Sequence, residues 1–472
     1  FSAQWNDFLI SWDSQGTPQP QMLEGWTLDS DGLTHRFTLR EGLKFWDGSA
    51  ITTDDVLASL DKWHTQIDPV PKQVWDLGTP TQAKVDDRTF TLTMSEPFGV
   101  MQWNMGTSLM SVIPASLATQ YPQSEPIPWE EIVGAGPLTI ADYSPGNVAH
   151  LAKWAAYNSR TEPKAGNSGS REHYADGLKL IDVPDGNTKM AALETGQLDV
   201  VDRLPNDFLD IVRGNKSLVA LIMSPDHSPG IFLNKSIPPL NHVKARVALQ
   251  LVINYREAML AFGPADMMTL GHQVFVIGGT WDMDAGIDDM FESNENFGPT
   301  PAMLARATKL WNEAAAETGW DVSQPIEMMN ATNLAHYGSL VVAKQNFEDA
   351  GFPVNMPAMD WATVASRSSS DCDWNIAITG WNAFDPVSNP GFSTTWKCGW
   401  DNQEVQDLIK DFTKASTLAE QKEIVGKIQT AKINDPPYIH FGQLNGMHAL
   451  GANVRNFENF LQLVFAGVWI DD

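Results

Sequence analysis

The stretch from Pro301 to Met359 reads PAMLARATKLWNEAAAETGWDVSQPIEMMNATNLAHYGSLVVAKQNFEDAGFPVNMPAM. PAMLARATKLWNEAAAETG reads as a helix, PIEMMNA as a strand, SLVVAKQNFEDAG as a second helix and PVNMPAM as a second strand. Helix and strand in alternation imply a mainly parallel sheet with helices on its faces. The fold class expected is therefore α/β.

Working outward, NHVKARVALQLVI (Asn241 to Ile253) reads as a helix capped by Asn241, with Val243, Val247 and Leu251 on one stripe. TKMAALETGQLDVVDRLP (Thr188 to Pro205) reads as a helix ended by Gly196, then a strand closed by Pro205. On the other side, DWNIAIT (Asp373 to Thr379) alternates as a strand and runs into the loop GWNAFDPVSNP (Gly380 to Pro390). TLAEQKEIVGKIQTAKI then carries a capping box, Thr417 with Glu420, and Asn434-Asp435-Pro436-Pro437 stops it before the strand YIHFG.

The first 150 residues are different, being strand-rich with one clear helix. HRFTLREGLKFW (His35 to Trp46) gives two short strand patterns about a turn at Gly42. TTDDVLASLDKW starts a helix with Thr52 as N-cap, Asp55 at its third position, and Val56, Leu60 and Trp63 on one face. VDDRTFTLTMSEPF is another strand, and EPKAGNSGSREH (Glu162 to His173) a polar surface loop.

A chain of 472 residues holds two or three domains, and 43% hydrophobic with 19% charged residues is ordinary for a globular protein. Lys+Arg 31 against Asp+Glu 58 leaves a net charge of −27, which repels phosphate backbones and argues against a nucleic-acid partner. That charge suits a cationic ligand, or simply solubility or a salty habitat. The 18 Trp against 7 Tyr suit a ligand-facing cleft, although many of these rings belong in cores. No run of eighteen apolar residues is present to span a membrane. Phe1 is not a start residue, so the chain is expected to be processed or truncated.

Cys372 and Cys398 are too few and too plainly spaced for a zinc site. They bracket the 380–390 loop; a disulfide would fit an oxidising compartment, and two free thiols a cytosolic one. Catalytic signatures are absent: no Gly-x-Ser-x-Gly elbow, His-Glu-x-x-His helix, Walker loop or dinucleotide fingerprint. The carboxylate pairs Asp371/Asp373 and Asp288/Asp289 admit a glycosidase with a Trp-lined cleft, but so acidic a chain makes such pairs by chance. His440 and His448, eight apart, are a weak metal signal against ordinary polar histidines. No cofactor and no catalytic residue is expected.

Several segments in the same order resemble one family, the extracytoplasmic solute-binding proteins of ABC importers, family 5, of the peptide/nickel type. MLEGWTLDSDGLTHRFTLREGLKFWDGSAITTDDVLASL (Met22 to Leu60) is similar to its signature region, and VGAGPLTIADYSPG (Val133 to Gly146) to its Gly-x-Gly-Pro segment. LETGQLDVVDRLP and LNHVKARVALQLVIN resemble two later landmarks, so the likeness runs from about Gln21 to the C-terminus.

The resemblance implies a two-lobed periplasmic-binding-protein-like fold with an extra strand-rich domain (class II, large cluster), closing by a hinge over a solute. By motif order, lobe I would comprise 1–9, 136–236 and 448–472, the accessory domain 10–135, and lobe II 237–447. The family normally begins with a further strand segment before the Met22 region, so part of the site is expected to lie outside this chain. The implied partners are a small-molecule solute (a peptide or peptide-like compound; a sugar, opine, cationic or aromatic compound is the alternative) and a membrane-embedded permease. The implied setting is the periplasm, and the implied state a monomer.

In such folds loops after parallel strands face the crevice, which directs attention to the 380–390 loop. In peptide-binding relatives an aspartate three residues after the Gly-Trp tryptophan pairs with the ligand's ammonium. Here Phe384 stands there, and Asp385 follows one residue later. The relatives' helix arginine, which holds a peptide carboxylate, has no counterpart in NATNLAHYGSLVVAK (Asn330 to Lys344). The expected solute-binding residues are Trp381 as a stacking platform, Asn382, Phe384 and Asp385, with packing of Phe384 under the loop as the competing reading. The expected disulfide is Cys372 to Cys398.

Overall fold

The computed structural model describes residues 2–14, 17–63, 75, 78, 80–106, 110–122, 125–292, 294–332, 337–415, 417–458 and 463–471. The chain forms two compact units, Phe1–Met223 with Met447–Asp472, and Ser224–Gly446.

In the first unit, β1 (Leu23–Leu28), β2 (Thr34–Leu39), β3 (Thr81–Lys84) and β4 (Thr89–Thr93) make an antiparallel sheet in the order β1-β2-β4-β3. Alternation along β2 puts His35, Phe37 and Leu39 inside, and Phe37 stacks on Phe90 of β4 at 5.1 Å. The helix α1 (Thr53–Trp63) starts where the Asp55 carboxylate accepts from the Thr52 backbone N–H at 2.9 Å and its hydroxyl at 3.0 Å. Val56 and Leu60 are buried on its inner face. The second strand expected after Gly42 is reduced to one bridge between Lys44 and Ala50, because Asp47-Gly48 closes a tight turn under a Phe45 N–H to Ser49 O bond of 2.9 Å. A three-stranded antiparallel sheet follows, β5 (Leu138–Ser144), β6 (Val148–Lys153) and β7 (Gly177–Ile181). After it come α2 (Gly186–Glu194), capped by Asp185, and the short β8 (Val200–Val201). The chain leaves this unit within β9 (Leu218–His227).

The second unit contains β10 (Pro229–Leu233), α3 (Val243–Val252), α4 (Pro301–Thr318), β11 (Ile326–Ala331), α5 (Tyr337–Asp349), β12 (Val354–Asn355) and β13 (Ala358–Met359). It continues through α6 (Trp361–Ser370), β14 (Ile376–Gly380), α7 (Gln403–Lys414), α8 (Leu418–Asn434) and β15 (Tyr438–His440), and the chain returns to the first unit within β16 (Gln443–Gly451). The sheet runs β12-β11-β14-β10-β15, with β13 also on β11. The alternating stretch supplies its parallel part, β11 pairing parallel with β12, β13 and β14. The expectation of a mainly parallel sheet is corrected in the other half, where β10 runs antiparallel to both β14 and β15. β10 is buried along its whole length and β14 except at Gly380, the pattern of strands covered on both faces.

The cap of α3 is His242 rather than Asn241, its Nδ1 accepting from the Lys244 N–H at 3.3 Å. α3 packs against α4, α5 and α8, so its burial extends from Ala245 through Val252 and is not confined to one stripe. Thr417 and Glu420 form the full capping box at the start of α8. Residues 333–336, inside the segment compared for a carboxylate-binding arginine, lie outside the described residues.

Candidate functional site

β14 delivers the chain at Gly380 into the loop singled out from the sequence, and the Trp381 N–H donates to Ser228 O at 3.2 Å. The half-buried Trp381 ring lies among aromatic neighbours of the second unit. Tyr438 and His440 meet it edge-on, each with centroids 4.7 Å away, and Trp396 at 5.7 Å. Its indole N–H donates to Asn389 Oδ1 at 3.0 Å. Asn389, fully buried, also accepts from Gly391 N–H at 3.0 Å and donates to the Tyr438 hydroxyl at 2.9 Å. Gly391 is required by close approach: a Cβ there would stand 2.2 Å from Tyr438 Cε1 and 2.7 Å from Trp381 Cζ2. The ring is thus fixed by packing and by one buried amide, as a stacking surface requires.

Of the other three residues expected in the loop, Asn382 and Asp385 have more local work. Asn382 donates from Nδ2 to Asp226 O at 2.8 Å and accepts at Oδ1 from the Ser228 hydroxyl at 3.3 Å. Asp385 accepts the N–H groups of Val387 and Ser388, both at 2.8 Å, and the Ser388 hydroxyl. That is a side-chain turn closing on its own backbone two residues on. Burial pushes the Asp385 carboxyl above its ordinary range, against the downward pull of those same hydrogen bonds. Phe384 is half-buried.

Cys372 and Cys398 are joined by a disulfide across a Cα–Cα distance of 5.6 Å, closing a segment that contains β14 and the whole loop. Beside it, Lys397 (φ +46°), Cys398 (φ +67°) and Cys372 (φ +46°) occupy the left-handed region, which side chains other than glycine enter at a cost.

Sequence reasoning missed three lysines packed on this aromatic cluster, Lys397 and Lys432 buried and Lys235 half-buried. Lys235 Nζ lies 4.1 Å from the Phe232 centroid, Lys397 Nζ 5.2 Å from that of Trp396, and Lys432 Nζ 4.4 Å from that of Tyr438. Lys397 donates to the Ser368 hydroxyl at 2.9 Å. Desolvation lowers all three, Lys397 to about 8 and Lys432 to about 7. His440 and His448, the weak metal signal of the sequence, have separate surroundings. His440 meets Trp381 and Tyr438, whereas His448 Nδ1 stands 3.0 Å from Asp202 Oδ1. Among the described residues no group of His, Cys, Asp and Glu is arranged to hold a metal. Of the carboxylate pairs, Asp373 is bonded by Arg367 at 2.9 Å, and Asp288 and Asp289 fall in a short helix, Ile287–Met290. No described helix is long and apolar enough to cross a membrane.

Two α/β units, one of them with a strand-rich sheet near the N-terminus, share the fold of the periplasmic binding proteins. Residues 17–403 match the model of the bacterial extracellular solute-binding proteins, family 5 (middle region), and the chain belongs to that family. It is 26% identical to a "probable peptide ABC transporter periplasmic-binding protein" (y4tO) of Sinorhizobium fredii, over 93% of this chain and 82% of that one. It is 24% identical to the glutathione-binding protein GsiB of Pectobacterium atrosepticum, over 93% of this chain and 84% of that one. The periplasmic binding protein AgaA of Agrobacterium tumefaciens R10, solved with agropinic acid, superposes with a TM-score of 0.82 at 18% identity, over 100% of this chain and 94% of its own. The chain is accordingly a solute-binding component of ABC import, acting outside the cytoplasm with a membrane permease.

Proposed function

We propose that the chain captures a peptide-like solute in the periplasm, as a monomer and without chemical turnover, and presents it to its permease. Within the first unit, residues 10–135 would form the accessory domain of this family. The observation that carries the solute-facing role of the 380–390 loop is Trp381, a half-buried indole fixed by Asn389 and Tyr438 at the end of a buried strand. Trp381 is the stacking platform, with Phe384 beside it. Asn382 and Asp385 shape the loop, their polar atoms being taken by Asp226, Ser228, Val387 and Ser388.

That assignment bears on the solute. Phe384 occupies the place where peptide-binding relatives carry an ammonium-pairing aspartate, and Asp385 is turned into its own loop. A ligand ammonium buried without a partner costs several kcal/mol. The reading that fits best is a peptide-like compound not anchored through a free α-ammonium at this loop. The peptide character itself is supported by the names of the relatives y4tO and GsiB.

Native mass spectrometry of the purified chain tests the reading. A released small molecule, retained by the wild type and depleted in Trp381→Ala at equal folded fraction, is the expected result. Equal retention by both would show that the loop faces protein instead.

A further inference from the structure

The second unit holds a buried lysine that has no carboxylate partner among the described residues. Lys432, on α8, is 5% exposed, and among the described residues no carboxylate pairs with it. The other buried polar residues of the helix's last turns have partners. Gln429 donates to Met283 O and Ala285 O at 2.5 and 3.1 Å and accepts from Val274 N–H at 3.2 Å. Asp435, the carboxylate nearest in sequence, is engaged by Arg246, by the Trp400 indole N–H at 3.0 Å and by Asn402 Nδ2 at 2.9 Å. Lys432 Nζ lies over the face of Tyr438, and a cation–π contact recovers a small part of what a buried ammonium loses. In a chain with 58 acidic residues against 31 basic ones, an acid partner would be easy to supply.

His440 shares the Tyr438 ring with this ammonium and feels its charge. His440 Nε2 is buried with no hydrogen-bond partner, and the ring touches both Tyr438 and Trp381, each at 4.7 Å between centroids. Burial keeps the imidazole neutral, with Lys432 and His227 adding to the effect, and Lys432 acts in the same sense on His272, whose Nδ1 is also unpartnered. The Lys432 ammonium and the neutral His440 ring, in the tautomer that carries its proton on Nε2, together offer N–H donors to an anion that accepts several hydrogen bonds. Lys397 lies against a ring of the same cluster and adds positive potential.

We propose that Lys432 and His440 form a subsite for a carboxylate of the solute, with Lys432 as its counter-charge and Trp381 stacking the adjoining part. This deepens the reading of the 380–390 loop as solute-facing and rests on it. The solute class is thereby narrowed to compounds with an anionic group, held from α8 and β15.

The test uses the whole chain labelled at lysine Cε, with hippurate and its neutral amide as probes. The Lys432 resonance is assigned by its loss in Lys432→Met, or in Lys432→Gln if the first variant does not fold. Hippurate should raise the midpoint of Lys432 by about one unit, a tenfold preference for the ammonium, and hippuramide should leave it in place. An unchanged midpoint with hippurate, or an equal rise with the amide, overturns the proposal. Tryptophan fluorescence on the same samples separates the two readings. If hippurate moves fluorescence but not the Lys432 midpoint, the carboxylate subsite falls and the loop reading stands. If neither moves, both fall.

Discussion

Asn389 holds Trp381 in place: its Oδ1 takes the indole N–H at 3.0 Å while its Nδ2 donates to the Tyr438 hydroxyl at 2.9 Å. One buried amide thereby fixes the loop's half-buried ring to the sheet strand behind it. Replacing it strands donors and acceptors away from water. Asn389→Ala should lower stability by about 2–4 kcal/mol, since more than one buried polar group loses its partner. Urea unfolding followed by fluorescence measures this, and a loss under half a kilocalorie would mean that water substitutes for the amide.

Gly391 permits that arrangement by having no side chain. A methyl there would overlap Tyr438 and Trp381. Gly391→Ala should cost about 1–3 kcal/mol, as overpacking a buried contact does, and should shift the tryptophan emission because the Trp381 ring must move. Unchanged emission would show that the loop backbone yields instead.

For Asp385 and Trp381 opposite outcomes are expected. Asp385→Ala should lower stability by about 1–3 kcal/mol through the exposed turn amides, and weaken solute binding only in proportion to unfolding. Trp381→Ala should weaken binding beyond any loss of fold. Melting curves paired with calorimetric titration of the co-purified solute distinguish the two, and selective loss of affinity in Asp385→Ala would restore it as a direct ligand.

The legible parts of this fold were those written in local pattern. The Pro301–Met359 alternation marks α4, β11, α5 and the short β12 and β13, and Thr417 with Glu420 marks the start of α8. The antiparallel half of the sheet was not legible, because β10 and β15 are short apolar strands separated from β14 by long stretches of chain, and pairing direction leaves no mark on such runs. In the loop, Trp381 could be found because a strand ended in a glycine and an aromatic. The partners that fix it, Asn389 and Tyr438, read as a turn residue and a strand residue. Lys432 was hidden for a physical reason: a lysine near the end of an amphipathic helix is ordinarily solvated, and only tertiary packing makes this one buried.

The disulfide encloses the loop, so reducing it should act on stability and on Trp381 together. With Cys372 and Cys398 separated by 26 residues, the chain-entropy model gives a contribution of about 3 kcal/mol. Denaturation with and without reductant should show a loss of that order. Intact-mass analysis after alkylation under non-reducing denaturation should find no modified thiol. Two alkylated cysteines would refute the bond.

Lys432 should make stability depend on pH in a direction opposite to that of a paired lysine. Its folded value is lowered to about 7 by desolvation, while the unfolded chain keeps the ordinary 10.5. Below the folded value both states hold the proton, and the folded state carries the full cost of burying an ammonium. Between the two values the unfolded state binds more protons, so stability rises with pH through that window and levels off above it. The contribution is therefore a penalty, largest at or below neutrality and relieved in alkali. Lys432→Met removes the ammonium and fits a flexible apolar chain of similar length against Tyr438. It should stabilise the protein near pH 6 by about 1–4 kcal/mol, the range seen when even paired buried charges are replaced by apolar groups. The gain should shrink steadily toward pH 10, where the wild-type lysine is neutral when folded. Subtracting the two proteins' unfolding free energies at each pH cancels the titrations they share. A gain that is independent of pH would mean that Lys432 keeps its ammonium solvated.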